Sequence, residues 1–367
     1  LIKNAKIVTD NHIIEGDLLI EGGKIARIDK DISVDGNVVV FDADGQFLIP
    51  GVIDDQVHFR EPGLTHKANI HTESRAALVG GTTSFMEMPN VNPQTVTNVL
   101  LEEKYGLGAN SSAVNYSFYL GGTNDNLEEI KRVNPRNVCG VKIFMGSSTG
   151  NMLVDQEEAL NGLFAHSPIL IATHCEEERL IKQNLAIAAA ENRKLTAADH
   201  PIIRDEDVCF ESSFRAVQMA KKFGTRLHIL HITTAKELQL FSNMLPLEEK
   251  RITSEVCVHH LHFTSDDYAK LGNQIKCNPA IKAPHNKTAL WEGLLDNRLD
   301  IIATDHAPHT WAEKQEDYLH AHAGLPLVQH ALGLMLHYVA EQKITIERVV
   351  EKMSHAPARC FQINNRG

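Results

Sequence analysis

The chain has 367 residues, enough for about two domains at a typical ~150 each, or for one α/β barrel of ~250 residues with an addition. Its 36 Lys and Arg against 47 Asp and Glu give a formal net charge of −11, which offers no cationic field to a nucleic-acid backbone or an anionic membrane. Apolar residues at 43% and charged ones at 23% describe a globule able to bury a core, and the lack of any ~18-residue apolar run or opening signal peptide sets the expectation of a cytoplasmic protein.

Residues 1–9 form an extended apolar stretch, and 17–21 and 24–28 flank Gly22-Gly23, a two-residue hairpin signal. Residues 38–42 and 46–49 flank a second turn at Asp44-Gly45. No helical periodicity precedes Pro50-Gly51, so 1–50 is expected to be a small, β-sandwich-like domain, and 51–367 a second domain. The chain starts without methionine and stops at Asn364-Asn365-Arg366-Gly367, which suggests that residues beyond 367 complete the first domain.

From Gly51 onward apolar strands are predicted at 51–59, 82–89, 115–121, 140–145, 168–175, 226–233, 252–260 and 300–307. Helices separate several of them. One precedes Gly80-Gly81; Asp125 is expected to cap another over 126–133, with Glu128 completing a capping box. A third, over 211–223, carries Phe214, Val217 and Ala220 on one face and stops at Gly224. Eight strands alternating with helices predict a (β/α)8 TIM barrel, and no G-x-G-x-x-G follows any strand to favour a doubly wound sheet.

Barrel chemistry sits at the C-terminal ends of the strands. Those ends read Asp54-Asp55-Gln56-Val57-His58-Phe59-Arg60, Val141-Lys142-Ile143-Phe144, Ala172-Thr173-His174-Cys175-Glu176, Leu230-His231-Ile232 and Ala303-Thr304-Asp305-His306-Ala307-Pro308-His309. Five strands thus aim a His, Lys or Asp at one mouth, a donor set that suits zinc or another divalent transition ion. Lys142 in an apolar strand is a costly burial without a partner. His228 and His262 are read as structural. His259-His260 either join the site or pack and hydrogen-bond beside Glu255. The six cysteines show no C-x-x-C pair and are read as free thiols of a reducing compartment.

The run Pro50-Gly51-Val52-Ile53-Asp54 followed by His58-Phe59-Arg60-Glu61-Pro62-Gly63 resembles the opening of the cyclic-amide hydrolases of the amidohydrolase superfamily, and among them the dihydroorotases, over nearly the whole chain. The resemblance implies zinc-dependent, reversible opening of dihydroorotate to N-carbamoyl-L-aspartate in pyrimidine biosynthesis. Gly140-Val141-Lys142-Ile143-Phe144 resembles the motif whose lysine takes up CO2 and bridges two Zn2+ ions. His174 and His231 match ligands of the more buried metal, His58 one of the more exposed metal, and Asp305 the aspartate that touches metal and shuttles protons. Arg60, Asn90 and His309 match the residues that hold the substrate carboxylate, with His58 beside them. Asn278 matches the reader of the ring amide, and Ala323 and Gly324 supply backbone contacts.

One position departs from that pattern. Gln56 stands where the family has the first histidine of His-x-His, and an amide oxygen is a weaker zinc ligand than imidazole. Alternation along the strand places 54, 56 and 58 on one face. Three readings stay open: a looser second metal, a single metal, or a catalytically silent relative kept as a scaffold, for instance for aspartate transcarbamoylase. Hydantoinase, dihydropyrimidinase or allantoinase activity is the alternative within the enzymes. A small-molecule substrate and a homo-oligomer are the expected partners. The loops 146–150 and 311–324 are candidates to close over the site.

Overall fold

A computed structural model describes residues 1–9, 11–146 and 152–367. The strands β1 (Ile2–Thr9), β2 (His12–Glu21) and β3 (Lys24–Asp29) form an antiparallel meander, and β4 (Phe41–Asp42) and β5 (Phe47–Leu48) both run parallel to β1. Gly22 and Gly23, at φ 56° and 75°, make the tight turn between β2 and β3 that their missing Cβ permits. The turn at Asp44-Gly45 only jogs the chain, because both short strands flanking it follow the direction of β1. Ala5, Ile7, Leu18 and Ala43 pack as this sheet's buried cluster, while Val8 packs on Ile346 and Val350 near the other end of the chain.

The barrel consists of β6 (Val52–Val57), β7 (Thr82–Glu87), β8 (Asn115–Phe118) continued by β9 (Leu120–Gly121), β10 (Val141–Phe144), β11 (Ile171–His174), β12 (Leu227–Ile229), β13 (Ile252–Cys257) and β14 (Ile301–Ala303). Each is parallel to its neighbours, and a bridge from Val57 to His306, with His58 N–H donating to His306 O at 2.7 Å, joins last to first. All eight predicted strands are present but shorter, since the apolar runs extend beyond the paired residues; β13 turns after Cys257 into the helical turn Val258–His262.

Alternation along the strands sorts the core into two layers. Val52, Val141, Ile143, Ile171, Leu227, Ile229 and Val256 face the surrounding helices, whereas Ile53, Met86, Tyr119, Ala172, Leu230 and Ile301 face the barrel axis with Ala356, Cys360 and Phe361. Two irregularities break the β6–β7 register: Val52 and Ile53 pair with Thr82 and Ser84, and Asp54 and Val57 with Phe85 and Glu87, so at the second three steps on β6 match two on β7. Asp55 therefore also reaches inward, where its Oδ2 lies 3.4 Å from His228 Nε2 on β12. Gln56 and His58 still share a face, both reaching Asp305 Oδ1, but the bulge adds Asp55 to the inward residues.

Two helix expectations need correction. The helix Leu127–Lys131 has no side-chain cap: Asn126 bonds instead to the Val96 and Gly121 carbonyls and to Thr123 N, and Glu128 pairs with Lys131, so loop contacts outcompete the capping box. The helix Glu206–Phe223 begins five residues earlier than expected, capped by Asp205, and ends at Gly224 in the left-handed conformation. Its buried face carries Val217 and Ala220, but Phe214 is exposed and stacks on Phe210. Among the described residues no helix is long and apolar enough to cross a membrane.

A buried ion pair holds the strand-one exit. Glu87 and Lys104 lie 3.0 Å apart with side chains 0% and 1% exposed, and Glu87 accepts the Phe59 N–H while Lys104 donates to Met88 O. Lys104→Met leaves that carboxylate buried without its cation and should cost about 3–5 kcal/mol. Urea unfolding checks this, with the double variant Lys104→Met/Glu87→Gln expected to regain part of the loss.

Candidate metal centre and substrate pocket

The expected residues meet in four groups at the barrel mouth. The first spans the seam between β6 and the segment after β14. Asp305 Oδ1 accepts from Gln56 Nε2 at 3.1 Å and lies 3.1 Å from His58 Nε2, whose Nδ1 lies 2.8 Å from Asn90 Oδ1. Burial favours the neutral forms on both sides: it lowers His58, and for Asp305 it is outweighed by His58 and the nearby His259 and Lys142, leaving the carboxyl below its ordinary value.

The second group is the pair His174 and His231, from the ends of β11 and β12. Nδ1 of the first lies 3.0 Å from Nε2 of the second, close to the roughly 3.3 Å that separates two imidazole nitrogens on one tetrahedral ion with ~2.0 Å bonds. Each is held from behind by a carboxylate that sequence reasoning did not assign. Glu176 sits 2.9 Å from His174 Nε2 and so frees Nδ1 to face the centre; Glu255 accepts the His231 backbone N–H at 3.0 Å. Burial, then the charges of His174 and Lys142, hold His231 well below its ordinary value, as a neutral ligand requires.

Lys142 stands between these two groups on β10, fully buried, and its charge acts on His58, His231 and Asp305. Its ammonium lies over the Phe144 ring at 4.6 Å, and among the described residues no carboxylate pairs with it directly. Burial pushes it down to about 8, against the pull of Asp305 and Glu255. Three imidazoles, an ionised carboxylate and a lysine amine form a donor set whose chemistry fits divalent metal, but they stand as two close pairs: no three of His58, His174, His231 and Asp305 have ligand atoms all within 4.8 Å of one another.

The third group centres on one cation, Arg60, because Lys67 beside it is already paired with Glu313 Oε1 at 3.0 Å. Arg60 is 6% exposed, donates from Nε to Pro308 O, and places Nη2 3.0 Å from His309 Nε2. His309 Nε2 is also 3.0 Å from Ala323 O, and Nδ1 is 3.2 Å from Lys67 Nζ, a cation the sequence reading missed. Burial, with Arg60 and Lys67 alongside, pushes His309 down to about 2, so it is neutral; burial lowers Arg60 only to about 10, so it keeps its charge. Arg60 makes no surface pair with Glu61, which accepts from Ile70 N instead. Gly324 N–H is taken by Lys276 O, and a Cβ there would meet Ala307 O at 2.4 Å.

Asn278 stands apart as the fourth, its Oδ1 3.1 Å from His200 Nε2, which also faces Cys277 O, while His200 Nδ1 meets the Tyr318 hydroxyl. His200 thus ties the Cys277-Asn278 segment to the 311–324 loop. That loop, expected as a lid, is pinned: Lys276 donates to Tyr318 O and Ala321 O, and Lys314 to His322 O and Gly324 O. Of the other candidate loop, 146–150, all but Gly146 lies outside the described residues.

The remaining histidines divide. His228 bonds Thr253 and Glu255 and faces Asp55, and His262 bonds Tyr338, both in keeping with structural roles, although Asp55, His228 and Glu255 are close enough to hold a cation. His306 is structural too, between Glu73 and the backbone N–H groups of Leu327 and Val328. His259 and His260 do not hydrogen-bond Glu255; they sit buried on the helical turn after β13, with His259 near Asp305. All six cysteines are free.

Strain marks the same residues. Apart from Asn, Asp and Gln, only Arg60 and His231 among the described non-glycine residues take positive φ, at 71° and 41°, and Asp305 sits at 46°. Such conformations cost about 1–3 kcal/mol each and persist where surrounding contacts over-determine them.

Glu176 yields a test. Burial would raise its carboxyl, but Arg204 and then His174 hold it down at about 2. Its stabilising contribution is complete above pH 4.5, the ordinary value, and is lost as pH falls from there toward 2. Glu176→Gln should therefore be less stable at pH 6 by about 3 kcal/mol, a gap that narrows below pH 4.5. Urea midpoints across that range check it, and a pH-independent gap would count against the pairing.

Residues 47–367 match the amidohydrolase family. The dihydroorotase of Methanosarcina mazei is 32% identical over 375 residues, covering 100% of this chain and 81% of its own length. The allantoinase of Deinococcus radiodurans is 29% identical, covering 100% of this chain and 83% of its own. Among solved structures, the L-hydantoinase (dihydropyrimidinase) of Arthrobacter aurescens superposes with a TM-score of 0.94 at 28% identity, over 99% of this chain and 82% of its own. With a barrel closed on itself, a converging donor set at its mouth and a family match across most of its length, the chain belongs to the amidohydrolase family.

Proposed function

We propose that this protein is a dihydroorotase, hydrolysing the cyclic amide of dihydroorotate reversibly to N-carbamoyl-L-aspartate in pyrimidine synthesis. The observation that carries the choice among cyclic amides is the buried cation Arg60 beside neutral His309, with Lys67 already paired to Glu313, a pocket suited to a carboxylate that hydantoins and allantoin lack. The dihydroorotase relatives agree with it, and the likeness to an L-hydantoinase keeps cyclic ureides as the second reading.

His58, His174, His231, Lys142 and Asp305 are assigned to hold the metal, zinc by family habit. When bound, the metal supplies an activated water and polarises the scissile carbonyl. Lys142, with its amine near 8, loses its proton readily enough to add to CO2, forming an N–C bond and releasing a proton, and the resulting carbamate is anionic where the ammonium was not. Asp305, held by Gln56 and His58 from one side, accepts a proton from the attacking water and returns it to the departing ring nitrogen. Arg60 and Asn90 orient the ring through its carboxylate, and Asn278, set by His200, faces the ring amide. We assign residues 1–50 to a separate small β domain, and free cysteines suit a cytoplasmic enzyme acting on a small molecule.

With zinc and bicarbonate present, dihydroorotate should be opened, and Asp305→Ala should remove the activity. Arg60→Met should lower kcat/KM for dihydroorotate by about 100-fold or more while leaving turnover of a simple hydantoin, if any, within a few-fold. Equal losses on both substrates would place Arg60 outside the carboxylate pocket. Less than one tightly bound ion per chain together with no turnover would favour the scaffold reading.

A further inference from the structure

We infer that Cys257, His259 and His260 form a second kind of metal site, for a thiolate-binding divalent ion of the zinc class, built on strand seven from residues other than the five assigned above and adjoining Asp305. Cys257 is the last residue of β13 and the two histidines lie in the helical turn that follows. All three are buried, at 0%, 1% and 3% exposure, and one ligand atom from each lies within 4.8 Å of the others. Ligands on one tetrahedral ion stand roughly 3.5 Å apart, so a bound ion needs to draw the three together by about 1 Å.

The second observation is that three of the four ring nitrogens lack a partner. Neither nitrogen of His259 nor Nδ1 of His260 has a hydrogen-bond partner, although the rings sit against each other with centroids 4.0 Å apart. A buried polar group without a partner costs about 1–3 kcal/mol, and two such rings side by side call for an occupant that accepts lone pairs. Protons do not serve, because burial keeps both rings neutral, against the pull of Asp305 on His259 and with His259 adding to the effect on His260.

The charge around the thiol also favours a cation. Cys257 Sγ lies 3.8 Å from Gln56 Oε1 and 3.9 Å from Glu255 Oε1, and feels Asp305, Asp54 and Asp55 besides. Those carboxylates oppose a bare thiolate, but a divalent ion reverses the sign of the interaction. Gln56 gains a positive reason as well. Its Nε2 is fixed on Asp305, so its oxygen is turned toward Cys257, linking the strand-seven site to the proton-shuttling aspartate. His260 Nε2, 3.2 Å from Pro279 O, donates there and leaves Nδ1 as the ligand atom, the orientation that outer contacts impose on metal-bound histidines.

This assignment does not depend on the identity of the substrate. The full chain, stripped of metal and titrated with Co2+, should show a near-ultraviolet thiolate-to-cobalt charge-transfer band, which the His, Lys and Asp donors at the mouth cannot produce. Cys257→Ser should abolish the band and bind one Co2+ fewer per chain, with far-ultraviolet circular dichroism unchanged. Should that variant fail to fold, His259→Asn should keep the fold while weakening the thiolate-linked Co2+ by at least tenfold. A parent protein with no thiolate band, a band that survives Cys257→Ser, or an unweakened band in His259→Asn would overturn the assignment.

Discussion

The site depends on the seam at which the barrel closes. Asp54 on β6 accepts from the Thr304 hydroxyl at 2.6 Å and its amide at 3.3 Å, and His58 N–H meets His306 O. Those contacts bring residues some 250 positions apart into register, and the same register sets Asp305 against Gln56 and His58. Desolvation explains why the seam is polar: Asp54 is pushed up to about 7 by burial despite its hydrogen bonds, a cost accepted where closure and chemistry coincide.

Behind the seam, a layer of buried charge steadies the mouth. Glu87 with Lys104 fixes the backbone just before Arg60, Glu176 with Arg204 orients His174, and Glu255 holds the backbone of His231. Each places a carboxylate one step outside a residue assigned to metal or substrate, so the strained backbones of Arg60 and His231 are clamped from behind rather than left to relax. The Arg60 cation lies close enough to feel Asp305, whose acidic surroundings extend to Cys257, so a group suited to a carboxylate adjoins a region suited to cations.

Most of the architecture was legible in the chain. Apolar runs spaced by helical segments locate all eight barrel strands, and the polar residues ending five of them identify the mouth. Strand ends, caps and exact facing were not legible, because they depend on partners distant in sequence. Asn126 serves a loop instead of a cap, Phe214 faces outward, and the β6 bulge turns Asp55 inward against the simple alternation.

Lys67, Lys104 and His200 gave no sequence signal for the opposite reason: a single Lys or His beside no motif is indistinguishable from a solvated surface residue until packing removes its water, and Glu176, though it ends the strand-five run, acquires its role only through contact with His174 and Arg204. Residue types and their order along the chain determined the fold class and the donor set, since periodicity and side-chain chemistry are local properties. Which donors face one another, which carboxylates stand behind them, and why Gln56 points one end at Asp305 and the other at Cys257 were decided only by tertiary closure, since hydrogen bonds and desolvation act between neighbours in space.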